Sequence, residues 1–249
     1  MKHTLIAIIF LSAASGCRRE PSPASPLPAD ASPVPVARPQ PVTQGAPRMN
    51  ETRSPEPKQL GTLPPDIGIA VGQRAPDAVL RDANGQAVQL RDLVAKGPIL
   101  LVFYRGGWCP FCNFQIHELT SAFPELERRG VTPVAVSVDR IEEAAKTKAT
   151  YTILFPVLSD PELAAHRAFR IVHHADEAEV ARLKGFGFDV ERSSGRDHHD
   201  FAIPSVFVID RDGLVRWAHA DADYKVRPST AQLLAAIDDL HLTNRAERE

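Results

Sequence analysis

The sequence predicts an α/β domain built on a central mixed sheet flanked by helices, and three observations carry that prediction. Short apolar runs alternate with stretches of helical composition over residues 98–169, the pattern of parallel strands joined by crossover helices. The run Ile99-Leu100-Leu101-Val102-Phe103-Tyr104 contains no charged side chain, as a central strand buried on both faces requires. Arg211-Asp212-Gly213 separates two further apolar runs, a hairpin signal that adds an antiparallel edge. A formal charge of −2 over 249 residues leaves no electrostatic footprint for nucleic acid.

The chain opens with Lys2, His3 and Thr4, then a mostly apolar run over residues 5–14, then Ser15, Gly16 and Cys17. That run is too short to span a bilayer as a mature helix and has the length of a signal-peptide core. Small residues running into a cysteine resemble a bacterial lipoprotein signal. The resemblance implies a signal peptide over residues 1–16, a lipid on the Cys17 sulfur, and a protein anchored in the bacterial cell envelope facing the periplasm. Ala14 stands where such signals most often place leucine; the alternatives are an ordinary cleaved signal and an uncleaved anchor. Residues 17–65 are dense in proline, alanine, serine and glutamine, a composition that builds no core. This linker would average about 40 Å end to end as a flexible coil, and proline stiffening extends it toward about 150 Å.

The folded domain is expected over residues 66–241, followed by a polar tail over 242–249. Residues 78–81 and 87–90, joined through Ala83-Asn84-Gly85, predict a small hairpin. The strand through Tyr104 comes next, and then a helix in which Cys112, Ile116, Leu119, Phe123 and Leu126 form one apolar stripe. Residues 131–139 predict a strand, 140–150 a helix, 155–158 a short strand, and 162–169 a short helix begun at Asp160-Pro161. A helix is expected near 176–184 and a polar loop over 191–200, a segment that either caps the site or decorates the sheet. Strands over 205–210 and 214–219 flank the hairpin turn, and a helix over 229–240 closes the domain with Leu233, Leu234, Ile237 and Leu240 on one face.

The chemistry concentrates in Trp108-Cys109-Pro110-Phe111-Cys112, at the junction of strand and helix. Cys109 is expected to be the N-cap and Pro110 the first helical residue, where a missing N–H costs nothing. A sulfur at the cap can accept from the free N–H groups of Phe111 or Cys112, and the helix dipole favours a thiolate there, so the placement predicts a depressed pKa and a reactive Cys109. Cys112, one turn on, lies on the core face and within reach of a disulfide. The alternatives are a structural disulfide and half of a zinc site. So short a loop removes only about 2 kcal/mol of chain entropy. Zinc would need two more ligands, usually as a second close pair. With Cys17 placed in processing, the three cysteines of the chain leave one CxxC and no stray thiol, which suits redox cycling in an oxidising compartment.

This order of elements, with Trp-Cys-x-x-Cys opening the first long helix and a proline entering a late strand, resembles the thioredoxin-like fold. More closely, Phe103-Tyr104-Arg105-Gly106-Gly107-Trp108-Cys109-Pro110-Phe111-Cys112 resembles the peroxiredoxin stretch of the alkyl hydroperoxide reductase and thiol-specific antioxidant family, and the likeness runs over roughly residues 72–240. The resemblance implies that Cys112 is the peroxidatic cysteine and that Arg227 steadies its thiolate and polarises the peroxide. It places Pro204 at the cis-proline position facing the thiols, with Trp108 and Tyr104 packing beside the pair. Arg105 stands where the family places proline, and Cys109 where it places threonine or serine, supplying a resolving thiol. His117 points away from the stripe and is expected at the surface.

Two mechanisms use the same residues. As a peroxidase, the Cys112 thiolate takes an oxygen from a hydroperoxide and Cys109 resolves the sulfenic acid, with an external dithiol of thioredoxin type resetting the pair. As a membrane-tethered thiol-disulfide oxidoreductase, Cys109 attacks a partner's disulfide and Cys112 resolves the mixed species. Neither needs a cofactor or a metal. A third class, a copper-handling thioredoxin-like module, would join the soft thiolates to His173-His174 or His198-His199.

Overall fold

The computed structural model describes residues 54–242. The expected signal peptide, Cys17, most of the linker and all but the first residue of the tail lie outside the described residues. The described part of the linker, residues 54–65, packs on the domain expected to begin at residue 66. Pro57 is buried, the Arg227 N–H donates to the Pro55 carbonyl (3.0 Å), and the Ala220 N–H donates to the Thr62 carbonyl (2.9 Å).

The hairpin of β1 (Val79–Arg81) and β2 (Ala87–Gln89) forms as expected and runs into α1 (Leu90–Val94), a short helix without a sequence signal strong enough to predict it. Next come β3 (Ile99–Phe103), α2 (Pro110–Ser121), α3 (Phe123–Arg128), β4 (Thr132–Ser137), α4 (Ile141–Thr150) and β5 (Val157–Ser159). The single stripe expected from Cys112 to Leu126 is split into α2 and α3. Pro124 falls at the start of α3 and cannot donate into the preceding turn, so the backbone breaks at Ala122 while Leu126 still reaches the core.

After α5 (Ala164–Ala168), β6 (Val172–His174) leads to α6 (Glu177–Gly185), α7 (Val190–Ser194) and β7 (Asp200–Ala202). Helix α5 starts later than expected because Leu163 takes a left-handed conformation, φ 61°. The expected loop over 191–200 instead contains most of α7, capped by Asp189, and β7 pairs antiparallel with β6 as a separate ribbon. Strands β8 (Ser205–Ile209) and β9 (Val215–Ala220) form the expected hairpin, and α8 (Thr230–Asp239) follows with a complete capping box between Ser229 and Gln232.

The main sheet has the order β2-β1-β5-β4-β3-β8-β9. Only β3 with β4 and β4 with β5 are parallel, so the sheet is mixed with a larger antiparallel share than the alternation of strands and helices implied. Strand β3 is buried at every position. Its side chains alternate between two cores, Ile99, Leu101 and Phe103 facing one and Leu100, Val102 and Tyr104 the other, which also holds both cysteines. Because Phe103 pairs with Val136 of β4 and Ser205 of β8, the turn after β3, the end of β4 and the start of β8 meet at one edge of the sheet. Active sites of α/β sheets form at such an edge.

Candidate active site

The turn from β3 into α2 is held from three sides. The Tyr104 N–H donates to the Val136 carbonyl (3.0 Å), the Gly107 N–H to Asp139 Oδ2 (2.7 Å), and Asn113 Nδ2 to the Gly107 carbonyl (2.8 Å). Gly106, at φ +153°, is required: a Cβ there would stand 2.3 Å from Trp108 Nε1 and 2.8 Å from Asp139 Oδ1. Cys109 then caps α2 with extended backbone (φ −87°, ψ 117°), and Pro110 begins the helix, as the sequence predicts.

The chemistry of the two sulfurs is the reverse of the N-cap prediction. Cys109 makes no side-chain capping bond, and it does not lie at an open end, being only 1% exposed. Its thiol faces Cys112, and its pKa is pushed up by burial first, then by donation to Cys112 and by that sulfur's negative charge. Cys112, fully buried, is the thiolate. Burial opposes that charge, yet the Cys109 donor, the Arg227 guanidinium and the backbone N–H and charge of Arg105 outweigh it and lower the pKa to about 5. The cap dipole yields to three donors aimed at the core-facing sulfur, the Cys109 thiol, Arg227 Nη2 and the Arg105 backbone N–H, and to the charges of the two guanidinium groups. Both thiols are free.

Arg227 is 3% exposed and donates Nη2 to Cys112 Sγ at 3.3 Å, Nη1 to Gln115 Oε1 at 2.7 Å and Nε to the Tyr224 carbonyl at 3.1 Å. The structure thus brings Cys109, Cys112 and Arg227 together across 115 residues of chain. Gln115 was missed by sequence reasoning. Its signal was available: a polar side chain one turn after Cys112, on the buried side of α2, needs a buried partner.

Arg105 is as buried as Arg227. Its guanidinium lies 4.2 Å from the Tyr224 ring centroid, 4.5 Å from Phe201 and 5.0 Å from Trp108, and it pairs with Glu179 Oε1 at 3.1 Å. Glu179 is held in turn by His173 Nε2 (2.7 Å). Residues 170–203 therefore cap the site edge with Glu179, His173 and Phe201. Arg105 also supplies a backbone N–H to Cys112, which a proline at this position could not.

Tyr104 is fully buried beside the thiols, and Trp108 packs against that core while meeting Phe201 edge-on at 5.5 Å. Pro204 is buried at the start of β8 and lines a small pocket with Arg105 and Tyr224. The expected cis bond is corrected: every described peptide bond, including that of Pro204, is trans. His117 is exposed. The paired histidines are engaged elsewhere, His174 with Asp200 (2.7 Å), His199 with Glu191 (2.7 Å) and His198 with the Pro161 carbonyl (3.0 Å). Among the described residues no cluster of three or more metal-ligating side chains forms.

A sheet edge of the thioredoxin-like kind carrying a buried thiolate, its partner thiol and an arginine defines a thiol-redox domain. The AhpC/TSA family model matches residues 71–218, and the chain belongs to that family. It is 29% identical over 163 residues to "Alkyl hydroperoxide reductase E" of Mycobacterium tuberculosis, covering 64% of this chain and 90% of that protein. It is 33% identical over 93 residues to "Thiol-disulfide oxidoreductase ResA" of Bacillus cereus, covering 37% of this chain and 53% of that protein, so the match spans about half the length of that relative. In fold it resembles the peroxidoxin BcpB of Mycobacterium tuberculosis (TM-score 0.55, 19% identity, covering 72% of this chain and 99% of that one). It also resembles the reduced Prx3 of Vibrio vulnificus (TM-score 0.56, 17% identity, 68% and 99%).

Proposed function

We propose that this chain is a thiol-dependent antioxidant peroxidase that reduces hydroperoxides through Cys109 and Cys112. The observation that carries the reading is the Arg227 guanidinium against the sulfur of a fully buried Cys112, 3.3 Å away. A fixed, forked donor can hold the thiolate and then the peroxide oxygen on which charge develops. The Cys112 thiolate attacks the terminal peroxide oxygen, the O–O bond breaks, and an alkoxide or hydroxide leaves. Cys112 becomes a sulfenic acid. The Cys109 thiol attacks that sulfur, forming the disulfide and releasing water. An external dithiol of thioredoxin type then reduces the disulfide.

Disulfide exchange is the second reading, favoured by the CxxC spacing and by the resemblance to ResA over 93 residues. It would require Cys109 to attack as the thiolate, whereas its pKa is raised and Cys112 carries the charge. The test is peroxide consumption with a dithiol donor. Cys112→Ser is expected to abolish it, and Cys109→Ser to leave the first turnover intact while stopping the cycle. Peroxide left untouched by wild type, with disulfide exchange lost in Cys109→Ser, would sink the peroxidase reading.

The lipoprotein-like signal supports a membrane-tethered enzyme facing the periplasm, lipidated at Cys17. Cys17→Ala is expected to move the protein from the membrane to the soluble fraction and to lose incorporation of labelled fatty acid.

A further inference from the structure

Arg227 reaches the Cys112 sulfur from a connection, residues 221–229 between β9 and α8, that contains neither helix nor strand. The other groups facing that sulfur stand on a firmer frame. Cys109 caps α2, Tyr104 and Arg105 lie on the turn after β3, and Asp139, whose buried Oδ1 has no hydrogen-bond partner among the described residues, follows β4. Within the connection, Asp221 accepts from the Asp223 N–H (2.8 Å) and Asp223 from the Lys225 N–H (3.0 Å). Those bonds fix the stretch before Arg227 and leave its own backbone to another segment.

That segment is residues 55–62. The Arg227 N–H, buried and followed by a proline that cannot donate, gives its hydrogen bond to the Pro55 carbonyl (3.0 Å). Next along, Glu56 Oε2 accepts from Gln232 Nε2 (3.1 Å), and Gln232 Oε1 accepts from the Ser229 N–H (2.9 Å) at the start of α8. Pro57 is buried. At the far end of the segment the Thr62 carbonyl accepts from the Ala220 N–H (2.9 Å), and the Thr62 N–H donates to His219 Nδ1 (3.4 Å). Gly61 permits this close approach to β9: its φ is +68°, and a Cβ there would lie 3.0 Å from Trp217 Nε1. Because β9 is the edge strand of the main sheet, its outer backbone groups are open to such pairing. The segment therefore runs antiparallel to the connection, pinned to β9 before it, to Arg227 within it and to α8 after it.

We propose that residues 55–62 are a strap that positions Arg227, holding its backbone where the guanidinium meets the Cys112 sulfur. They are positioning residues, acting on the sulfur only through Arg227, and the inference rests on the reading of Cys112 as the reacting thiolate. A forked donor is directional, and a misplacement of about 1 Å at a reacting centre can cost about a hundredfold in rate. With the strap unseated, Arg227 keeps its charge and loses its place. The strap ends the proline-rich stretch read as a linker, so the arginine is set at the point where that stretch joins the domain.

The test uses the full-length chain. Pro57→Asn adds no charge and puts a polar side chain in the buried position. It is expected to unseat the strap, to raise the midpoint of the Cys112 thiolate absorbance by about one pH unit, and to slow single-turnover peroxide reduction about tenfold. In an Arg227→Ala background the same substitution is expected to move the midpoint no further. In the wild type, the Arg227 amide is expected to be protected from hydrogen exchange, and this measurement stands even if a variant does not fold. An unchanged midpoint in a folded Pro57→Asn protein, a further rise in the Arg227→Ala background, or an Arg227 amide that exchanges as fast as in an open chain overturns the proposal. If peroxide is never consumed while the midpoint still rises, the peroxidase reading fails and the strap stands.

Discussion

The two sides of β3 each bury a polar cluster, and the clusters are built differently. On the side of Phe103, Asp160 accepts from the backbone N–H groups of Ala164, Ala165 and His166 (2.8, 2.9 and 3.1 Å) and meets His166 Nδ1 at 2.6 Å. Both oxygens of that carboxylate are engaged, and the imidazole stands edge-on to Phe103, ring centroids 5.3 Å apart. These bonds start α5 and end there. On the side of Tyr104, the bonds of Arg227, Arg105 and Cys109 converge on a single sulfur, and Asp139 keeps one oxygen unpaired. Burial alone does not separate a structural cluster from a chemical one, since both are equally dry. What separates them is where the hydrogen bonds point: toward backbone that must be fixed, or toward an atom that can change its charge.

Removing Arg227 should have the largest effect. Arg227→Ala leaves the Cys112 thiolate with one guanidinium fewer and Gln115 without its partner, a loss of about 3–5 kcal/mol for a broken buried pair. The expected outcome is a rise in the Cys112 pKa, followed by ultraviolet thiolate absorbance, and a fall of about a hundredfold or more in single-turnover peroxide reduction. Retention of both would mean that the two sides of β3 do not differ as described.

Asp160→Asn is the matched change on the other side and should affect only the fold. Losing acceptor capacity at the start of α5 is expected to cost about 1–3 kcal/mol in denaturant unfolding, with turnover per folded molecule unchanged. A loss of turnover larger than the loss of folded protein would tie this cluster to the chemistry.

The smallest effect sharpens the comparison through pH. Cys112 is depressed from 9.0 to about 5 in the folded state, so the stability it contributes is complete above pH 9 and is lost as pH falls through about 5. Asp139, raised from 3.8 to about 7, has the opposite sign: its contribution is complete below about pH 3.8 and is lost as pH rises through about 7. The stability gap between reduced wild type and Cys112→Ser is expected to narrow as pH falls from 9 to 5. A gap that widens toward acid would show that the sulfur is not the charged group.

By itself the sequence determined the redox strand, its turn and the helix behind it, because a fully apolar run followed by Gly-Gly and Cys-Pro leaves the local backbone few choices. It also determined the two hairpins, which their turn residues specify within a few positions. The thiol pair was legible for the same reason, as was the arginine through its resemblance to a family pattern. Which sulfur holds the charge was not legible from local backbone rules, although the family resemblance implied Cys112. Local rules favoured the cap position, and the answer depended on Arg227, 115 residues away, and on Arg105 turning its backbone N–H toward Cys112. Only the tertiary structure decided that α7 and β7 form where composition predicted a loop, that Gln115 faces a guanidinium, and that Asp139, two residues past β4, holds the turn into α2. Each of these rests on a contact between elements distant in the chain, and periodicity along one segment carries no information about what packs against it.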